Sequence, residues 1–170
     1  LAEAEDADAG GVHFVPAFGG LGAPWWDPDA APVITGFSLG TRRAQLVAAA
    51  LEAVAFQVED VVAAIEQAAG QVSVLMADGG LTRSARLMRL QADLSGRTVA
   101  RSGEHDLSAL GAADAAGLAA KLWTTEQLER RPRPVKEFRP AADDPYRRAR
   151  KASWRQAVRR ARPDEERSIT

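Results

Sequence analysis

Hydrophobic positions follow a helical spacing over the longest patterned stretch of the chain. Between Thr41 and Gly70, apolar residues recur every three or four positions, which places them on one face of a helix. They are Leu46, Ala50, Val54, Val58, Val61, Val62 and Ile65. Thr41 is a suitable N-cap, and Gly70 is a suitable residue to end the helix. The pattern predicts one long helix between these two residues.

Short apolar runs alternate with further helical patterns elsewhere. The runs predict strands at 12–18, 33–38, 71–77 and 97–101. The helical patterns predict helices at 82–94, 108–122, 125–130 and 145–161. Glycine and proline predict turns at 19–32 and a broken stretch at 131–140. Alternating strands and helices favour an α/β domain with helices packed on a sheet.

Composition narrows the class of protein. The chain is 46% apolar and 26% charged over 170 residues, as in one ordinary globular domain. It has no apolar run near the roughly 20 residues that a membrane-spanning helix needs. It has no cysteine, which excludes disulfides and thiolate sites and is compatible with the cytoplasmic location that we expect. His13 and His105 are too far apart in sequence to predict a metal site.

Positive charge is concentrated near the C-terminus. Residues 130–162 carry thirteen of the twenty-two Lys and Arg residues. Most follow one side of the predicted last helix, whose other side carries Tyr146, Trp154 and Val158. This pattern is typical of a docked terminal helix with a solvated face. We therefore expect neither a nucleic-acid partner nor a membrane partner, although basic helices are found in both kinds of protein.

The segment with the most chemical information is the junction between a strand and a helix at 72–88. Asp78-Gly79-Gly80 follows the predicted strand directly. Glycines allow a ligand to approach the backbone, and a helix N-terminus attracts anions. Ligands of α/β proteins lie beyond the carboxyl ends of strands. The spacing matches neither a P-loop nor a GxGxxG motif, so from the residues alone a plain tight turn remains the commoner interpretation.

Four segments in collinear order resemble the FGGY family of carbohydrate kinases. They are GGVHFVPAFGGLGAPWWDP at 10–28, TGFSLGTRRAQLVAAALEAVAFQ at 35–57, the DGG turn with its helix, and SALGAADAAGLA at 108–119. The first segment is similar to the glycerol kinase branch. The resemblance implies an actin/hexokinase-like (ribonuclease H-like) ATPase lobe with C-terminal helices, covering 10–161. Residues 1–9 are charged and lack periodicity, so a poorly ordered start is expected there, and 162–170 are expected to be a tail.

The resemblance implies that Gly79, Gly80 and Ser84 contact the adenosine of ATP. Ser84 stands where the family has Asn, and Leu81, Thr82 and Arg83 replace smaller residues. It assigns no catalytic residue and no metal ligand here. The opening strands of the lobe, the catalytic base, the Mg²⁺ ligands and most of the glycerol contacts are expected before Leu1, so the fragment is expected to be inactive. Homo-oligomers are common in this branch.

Two alternatives remain open for the function. One is a nucleotide-binding protein of this descent without kinase activity, and the other is a kinase for a different sugar or polyol. Trp25-Trp26-Asp27 is interpreted as a packed structural turn rather than as a sugar platform. Glu52, Glu59 and Asp60 are expected to be solvated or to contact another lobe rather than to act in acid–base catalysis.

Overall fold

The computed structural model describes residues 7–104 and 106–162. Over these residues the chain forms the strands β1 (His13–Val15), β2 (Val33–Thr35), β3 (Val74–Ala77), β4 (Thr98–Ser102) and β5 (Val135–Phe138). Its helices are α1 (Arg43–Ala69), α2 (Ala85–Ser95), α3 (Leu107–Ala119), α4 (Thr125–Glu129) and α5 (Asp144–Ala161). The predicted α/β class is confirmed.

The strands form two sheets. β1 and β2 pair in antiparallel orientation, whereas the second sheet has the order β3-β4-β5. β3 and β4 are parallel and need a crossover, which α2 supplies. In their register Ala77 lies opposite Arg101, so the two strands end at the same level. This places the residues after β3 beside the end of β4.

The core lies where α1, α2 and α5 meet the sheets. Phe56 of α1 stacks on Trp154 of α5, with ring centroids 4.9 Å apart and planes 6° from parallel. Leu94 of α2 and Val99 of β4 are fully buried in the same cluster. The apolar face of α5 is therefore a buried face, although Tyr146 at its start is exposed.

The Gly- and Pro-rich segment at 19–32 is held in place by hydrogen bonds at Trp25 and at Asp27. The indole of Trp25 donates to Asp60 at 3.2 Å, and Arg162 donates to Asp27 at 2.8 Å. Trp26 is 76% exposed. The prediction of a packed structural turn is confirmed for Trp25 and Asp27 and is wrong for Trp26.

Several boundaries differ from the predicted ones, and one strand was not predicted. The N-cap of α1 is Arg42, because the Thr41 hydroxyl instead accepts from the Ser38 N–H at 2.8 Å. α2 begins at Ala85, after a 3-10 turn at Gly80–Arg83. β5 lies within the stretch at 131–140, for which no element was predicted. Gly70 does end α1, with φ of 93°.

Glu52 and Glu59 of α1 are not solvated, so the expectation of solvated carboxylates is wrong for these two residues. Glu52 and Glu59 are each only 4% exposed. Arg150 pairs with Glu52, and Lys151 pairs with Glu59, which ties α5 to α1. Burial raises the pKa of Glu52, and Arg150 partly offsets that rise. These residues hold helices together.

The two predicted ends lie largely outside the described residues, which omit 1–6, His105 and 163–170. Of the predicted start at 1–9, Ala9 is fully buried. Across the described residues, no helix is both long and apolar enough to cross a membrane. Within the same ranges, no group of three or more His, Asp or Glu side chains could hold a metal ion.

Candidate functional site

The Asp78-Gly79-Gly80 turn lies between the end of β3 and the start of α2. Gly79 has φ of 96°, a conformation that glycine adopts at little cost and other residues do not. The Gly79 carbonyl accepts from the backbone N–H of Thr82 at 3.1 Å and from its hydroxyl at 2.7 Å. The turn is therefore closed by its own residues and presents its glycines outward.

Both glycines face open space. A Cβ atom added at Gly79 or at Gly80 would meet no heavy atom within 4 Å. Gly80 also has no positive φ, so its own backbone conformation accepts a side chain. The lack of side chains here serves approach from outside rather than close packing within the chain.

Ser84 lies behind these glycines, as the N-cap of α2. Its hydroxyl oxygen accepts from the backbone N–H of Leu87 at 3.2 Å, and its side chain is half-buried. The structure does not include Ser84 in the cavity wall that Gly79 and Gly80 form. The sequence-predicted trio is thus adjacent in space, but only the two glycines line the opening.

A cavity of about 210 Å³ opens beside the turn. It is lined by Asp78, Gly79, Gly80, Thr82, Arg83, Arg101, Ser102, Gly103 and Glu104. Arg101 donates from β4 to the Thr82 carbonyl at 3.2 Å, which holds the 3-10 turn against the sheet. The wall combines two arginines with two carboxylates.

Sequence reasoning missed the wall from the end of β4, residues 101–104. The predicted order of strand, helix and strand is the signal that could have identified this wall. Because parallel neighbours end at the same edge of a sheet, residues following β4 must lie beside those following β3. Composition alone does not single out Arg101.

The geometry suits one part of an extended polar ligand. The volume is below the roughly 300–1,000 Å³ of pockets that enclose a whole small molecule. Exposed glycine backbone, arginine side chains and a neighbouring helix N-terminus are groups that bind ribose and phosphate oxygens. Among the described residues the site shows no pairing of a nucleophile with a general base.

A larger cavity, of about 370 Å³, lies between α1, α5 and Trp25. Glu59 and Asp60 line it, and both already have partners. Asp60 accepts from the Trp154 indole at 2.8 Å as well as from Trp25. Burial raises the pKa of Asp60, and the two indole hydrogen bonds oppose that rise. The carboxylates of this cavity are engaged within the chain, and the cavity does not include the glycine turn.

The chain belongs to the FGGY family of carbohydrate kinases, because residues 1–120 match the C-terminal domain of that family. The fold and the strand–glycine–helix junction agree with this class.

Within the family, this chain is similar to glycerol kinases. It is 47% identical to the glycerol kinase of Dechloromonas aromatica over 157 residues. It is 42% identical to a glycerol kinase of Saccharolobus islandicus over 156 residues. Each match covers 91% of this chain and only 31% of the relative, so the chain spans about a third of their length.

Solved structures give the same result. The chain superposes on the glycerol kinase of Plasmodium falciparum, solved with ADP, with a TM-score of 0.80 and 35% identity. That match covers 94% of this chain and 33% of the other. A xylulose kinase from Rhodospirillum rubrum superposes with a TM-score of 0.69 and 28% identity. That match covers 91% of this chain and 31% of the other. The predicted actin-like lobe and the FGGY resemblance are confirmed.

Proposed function

We propose that this chain is the nucleotide-binding C-terminal part of a kinase that transfers the γ-phosphoryl group of ATP to glycerol. The observation that carries the proposal is the 47% identity to a glycerol kinase across the segment that includes the open glycine turn. Gly79 and Gly80 bind the adenosine part through their exposed backbone, and Arg101 holds the turn in place. The Ser84 hydroxyl donates its proton to the ribose or base.

The rest of the reaction depends on residues outside this chain. The catalytic base, the glycerol contacts and the Mg²⁺ ligands come from the two thirds of the relatives that the chain does not span. Phosphoryl transfer needs all of these parts in one place, because catalysis is mainly positioning and charge stabilisation. This chain alone is therefore inactive, and the complete enzyme works in the cytoplasm.

A chimera tests the proposal. The part of the Dechloromonas aromatica glycerol kinase that precedes its match to this chain is joined to this chain; this protein is called the chimera below. Glycerol-dependent release of ADP is measured for the chimera, for this chain and for the preceding part alone. We expect turnover by the chimera only. The intact Dechloromonas enzyme is the positive control.

Three other results have clear meanings. A folded chimera that binds ADP but phosphorylates no polyol favours a nucleotide-binding protein without kinase activity, a reading motivated by Ser84 and its changed neighbours. A chimera that prefers another sugar or polyol over glycerol contradicts the proposed substrate. A folded chimera that neither binds ADP nor turns over contradicts the proposal as a whole.

A further inference from the structure

The cavity of about 370 Å³ between α1, α5 and Trp25 is separate from the glycine turn, and we call it the α1–α5 cavity. Its volume lies within the roughly 300–1,000 Å³ of sites that enclose a small molecule. The buried rings of Phe56 and Trp154 line it, as do the half-buried side chains of Ala63 and Ala64. The α1–α5 cavity therefore offers an apolar interior to a ligand.

The two carboxylates that line the α1–α5 cavity have partners within the chain. Glu59 pairs with Lys151, which also lines the cavity. Asp60 accepts hydrogen bonds from the indoles of Trp25 and Trp154. A cationic ligand would have to displace these partners, so the two carboxylates do not favour one.

Two polar side chains of the α1–α5 cavity have no such partner. Arg155 lines it from α5 and is exposed, which places its guanidinium at the rim. It makes no hydrogen bond and no ion pair with any residue that the structure describes, although its charge acts on Asp60. Gln67 lines the cavity from α1, is also exposed, and has no hydrogen-bond partner in the described ranges. One positive charge and one amide are therefore available to a ligand.

We propose that the α1–α5 cavity binds a small monocarboxylate with an apolar body. The apolar body enters the aromatic interior, and the carboxylate remains at the rim. There it accepts two parallel hydrogen bonds from the Arg155 guanidinium, a geometry that arginine forms readily with carboxylates. The Gln67 amide donates to the same head group.

The charge of the rim favours a carboxylate over a phosphate monoester. Arg155 is one unpaired cation and balances one negative charge, whereas a phosphate monoester carries nearly two at neutral pH. The bound ligand joins α1, α5 and the Trp25 turn, and it should stabilise the chain because it binds the folded state alone. The proposal does not depend on kinase activity and involves no nucleotide.

Four probes separate the contribution of the head group from that of the body. Phenylacetate, phenethyl alcohol and phenethylamine share one aromatic body, and at neutral pH their heads are anionic, neutral and cationic. Acetate has the anionic head without the body. We expect phenylacetate to bind with a Kd in the millimolar range, as suits a ligand of its size. The alcohol and acetate should bind about tenfold more weakly or worse, and the amine should not bind.

The indole N–H signals in two-dimensional NMR of the isotope-labelled chain show where a probe binds. Trp25 and Trp154 line the α1–α5 cavity. Trp123 lies outside it, where its indole donates to the Asp114 carbonyl at 3.1 Å. We expect phenylacetate to shift the signals of Trp25 and Trp154 and to leave that of Trp123 in place. Single Trp→Phe substitutions assign the signals.

Two arginine variants make the test specific. Arg155→Gln removes the free charge at an exposed position, so the chain keeps its fold. It should raise the Kd of phenylacetate by about tenfold or more, because a charge-assisted hydrogen bond is lost. Arg159→Gln is the matched control, since Arg159 is exposed on the same helix and does not line the cavity. It should leave the Kd unchanged.

The proposal is overturned if phenylacetate shifts neither Trp25 nor Trp154, or if the alcohol or the amine binds as tightly. Equal weakening by the two arginine variants also overturns it, because the attraction is then a general effect of the basic helix. Acetate that binds as tightly as phenylacetate contradicts the role of the apolar interior. Should this chain alone give no dispersed NMR signals, the chimera is titrated in its place, and the same outcomes decide.

Discussion

Ser84 serves both α2 and the proposed nucleotide site. As the N-cap of α2 its hydroxyl oxygen accepts the Leu87 N–H. A hydroxyl can accept and donate at the same time, so its proton remains free for a ligand. Asn, the residue that the resemblance to the family implies at this position, is an equally good N-cap. Ser at this position therefore preserves the N-cap of α2, but its side chain reaches less far toward the opening than that of Asn.

Ser84→Asn in the chimera should improve ADP binding without changing stability. A longer amide side chain adds about one hydrogen bond to adenosine, worth about 1 kcal/mol or a fivefold lower Kd. Thermal unfolding and calorimetry measure the two quantities. Ser84→Ala is the control, and it should destabilise α2 by about 1 kcal/mol because the cap is lost. An Asn variant that binds ADP no better than Ser84 would place adenosine away from this residue.

His13 is a second residue whose environment has a measurable consequence. It is 5% exposed, and its Nε2 lies 2.6 Å from the Ser153 hydroxyl. Its ring packs edge-on against Phe56 at 5.7 Å. Burial lowers the pKa of His13 below 6.5, and the positive charge of Arg150 lowers it further. The folded chain therefore favours the neutral form of His13.

Acidification should destabilise the chain through His13. Because the folded pKa is the lower one, the unfolded chain binds the proton more readily. The contribution to stability is complete above the ordinary pKa and is lost as the pH falls from about 7 toward the folded pKa, by about 1.4 kcal/mol per unit of lowering. Denaturant unfolding at about pH 7.5 and 5 should show this loss, and His13→Phe should show less of it. An equal pH dependence in both proteins would contradict the assignment.

At the scale of elements, Arg97 joins α1, α2 and the segment before β3. Its guanidinium pairs with Glu66 and lies 3.2 Å from Glu59 on α1. It also donates to the Val72 carbonyl at 2.9 Å and to the Ser95 carbonyl at 2.7 Å. The hydrogen bond from Arg97 lowers the pKa of Glu66. One side chain thus fixes the position at which β4 begins.

Arg97→Met should destabilise the chain by about 2 kcal/mol, because buried Glu59 loses a partner and two carbonyls lose a donor. Denaturant titration at neutral pH measures the change in the free energy of unfolding. Arg139→Met is the matched control: its side chain is 79% exposed beside Glu137, so its loss should cost about 0–1 kcal/mol. Equal effects of the two substitutions would mean that Arg97 does not link these elements.

The elements that local pattern predicted are those with their own periodicity or punctuation. α1 shows helical spacing over 27 residues, and Gly70 ends it as expected. β5 was not predicted because it has four residues, lies at an edge of the sheet and is surrounded by prolines. The burial of Glu52 was not predicted because its partner Arg150 is 98 positions away in the sequence. Spacing reports which residues share a face, but it does not report which distant charge meets them.

At the scale of the whole molecule, the candidate site was half predictable. Gly79 and Gly80 follow a strand and precede a helix, so the sequence placed them at a sheet edge. Arg101 and Glu104 join them only because β3 and β4 are parallel and end level. The remaining walls of the site are proposed to come from polypeptide that this chain does not span.

Titration of the chimera with ADP by calorimetry shows whether nucleotide lies against the glycine turn. Gly80→Trp is the informative variant, because a Cβ atom at Gly80 meets no heavy atom within 4 Å and the residue has no positive φ, so the backbone accepts a side chain that projects into the opening. Leu39→Trp, exposed and outside the cavity wall, is the control. We predict that the chimera binds ADP, that Gly80→Trp raises the Kd by about tenfold or more, and that Leu39→Trp changes nothing. A Gly80→Trp variant that binds ADP as tightly as the unsubstituted chimera would contradict the nucleotide site proposed here.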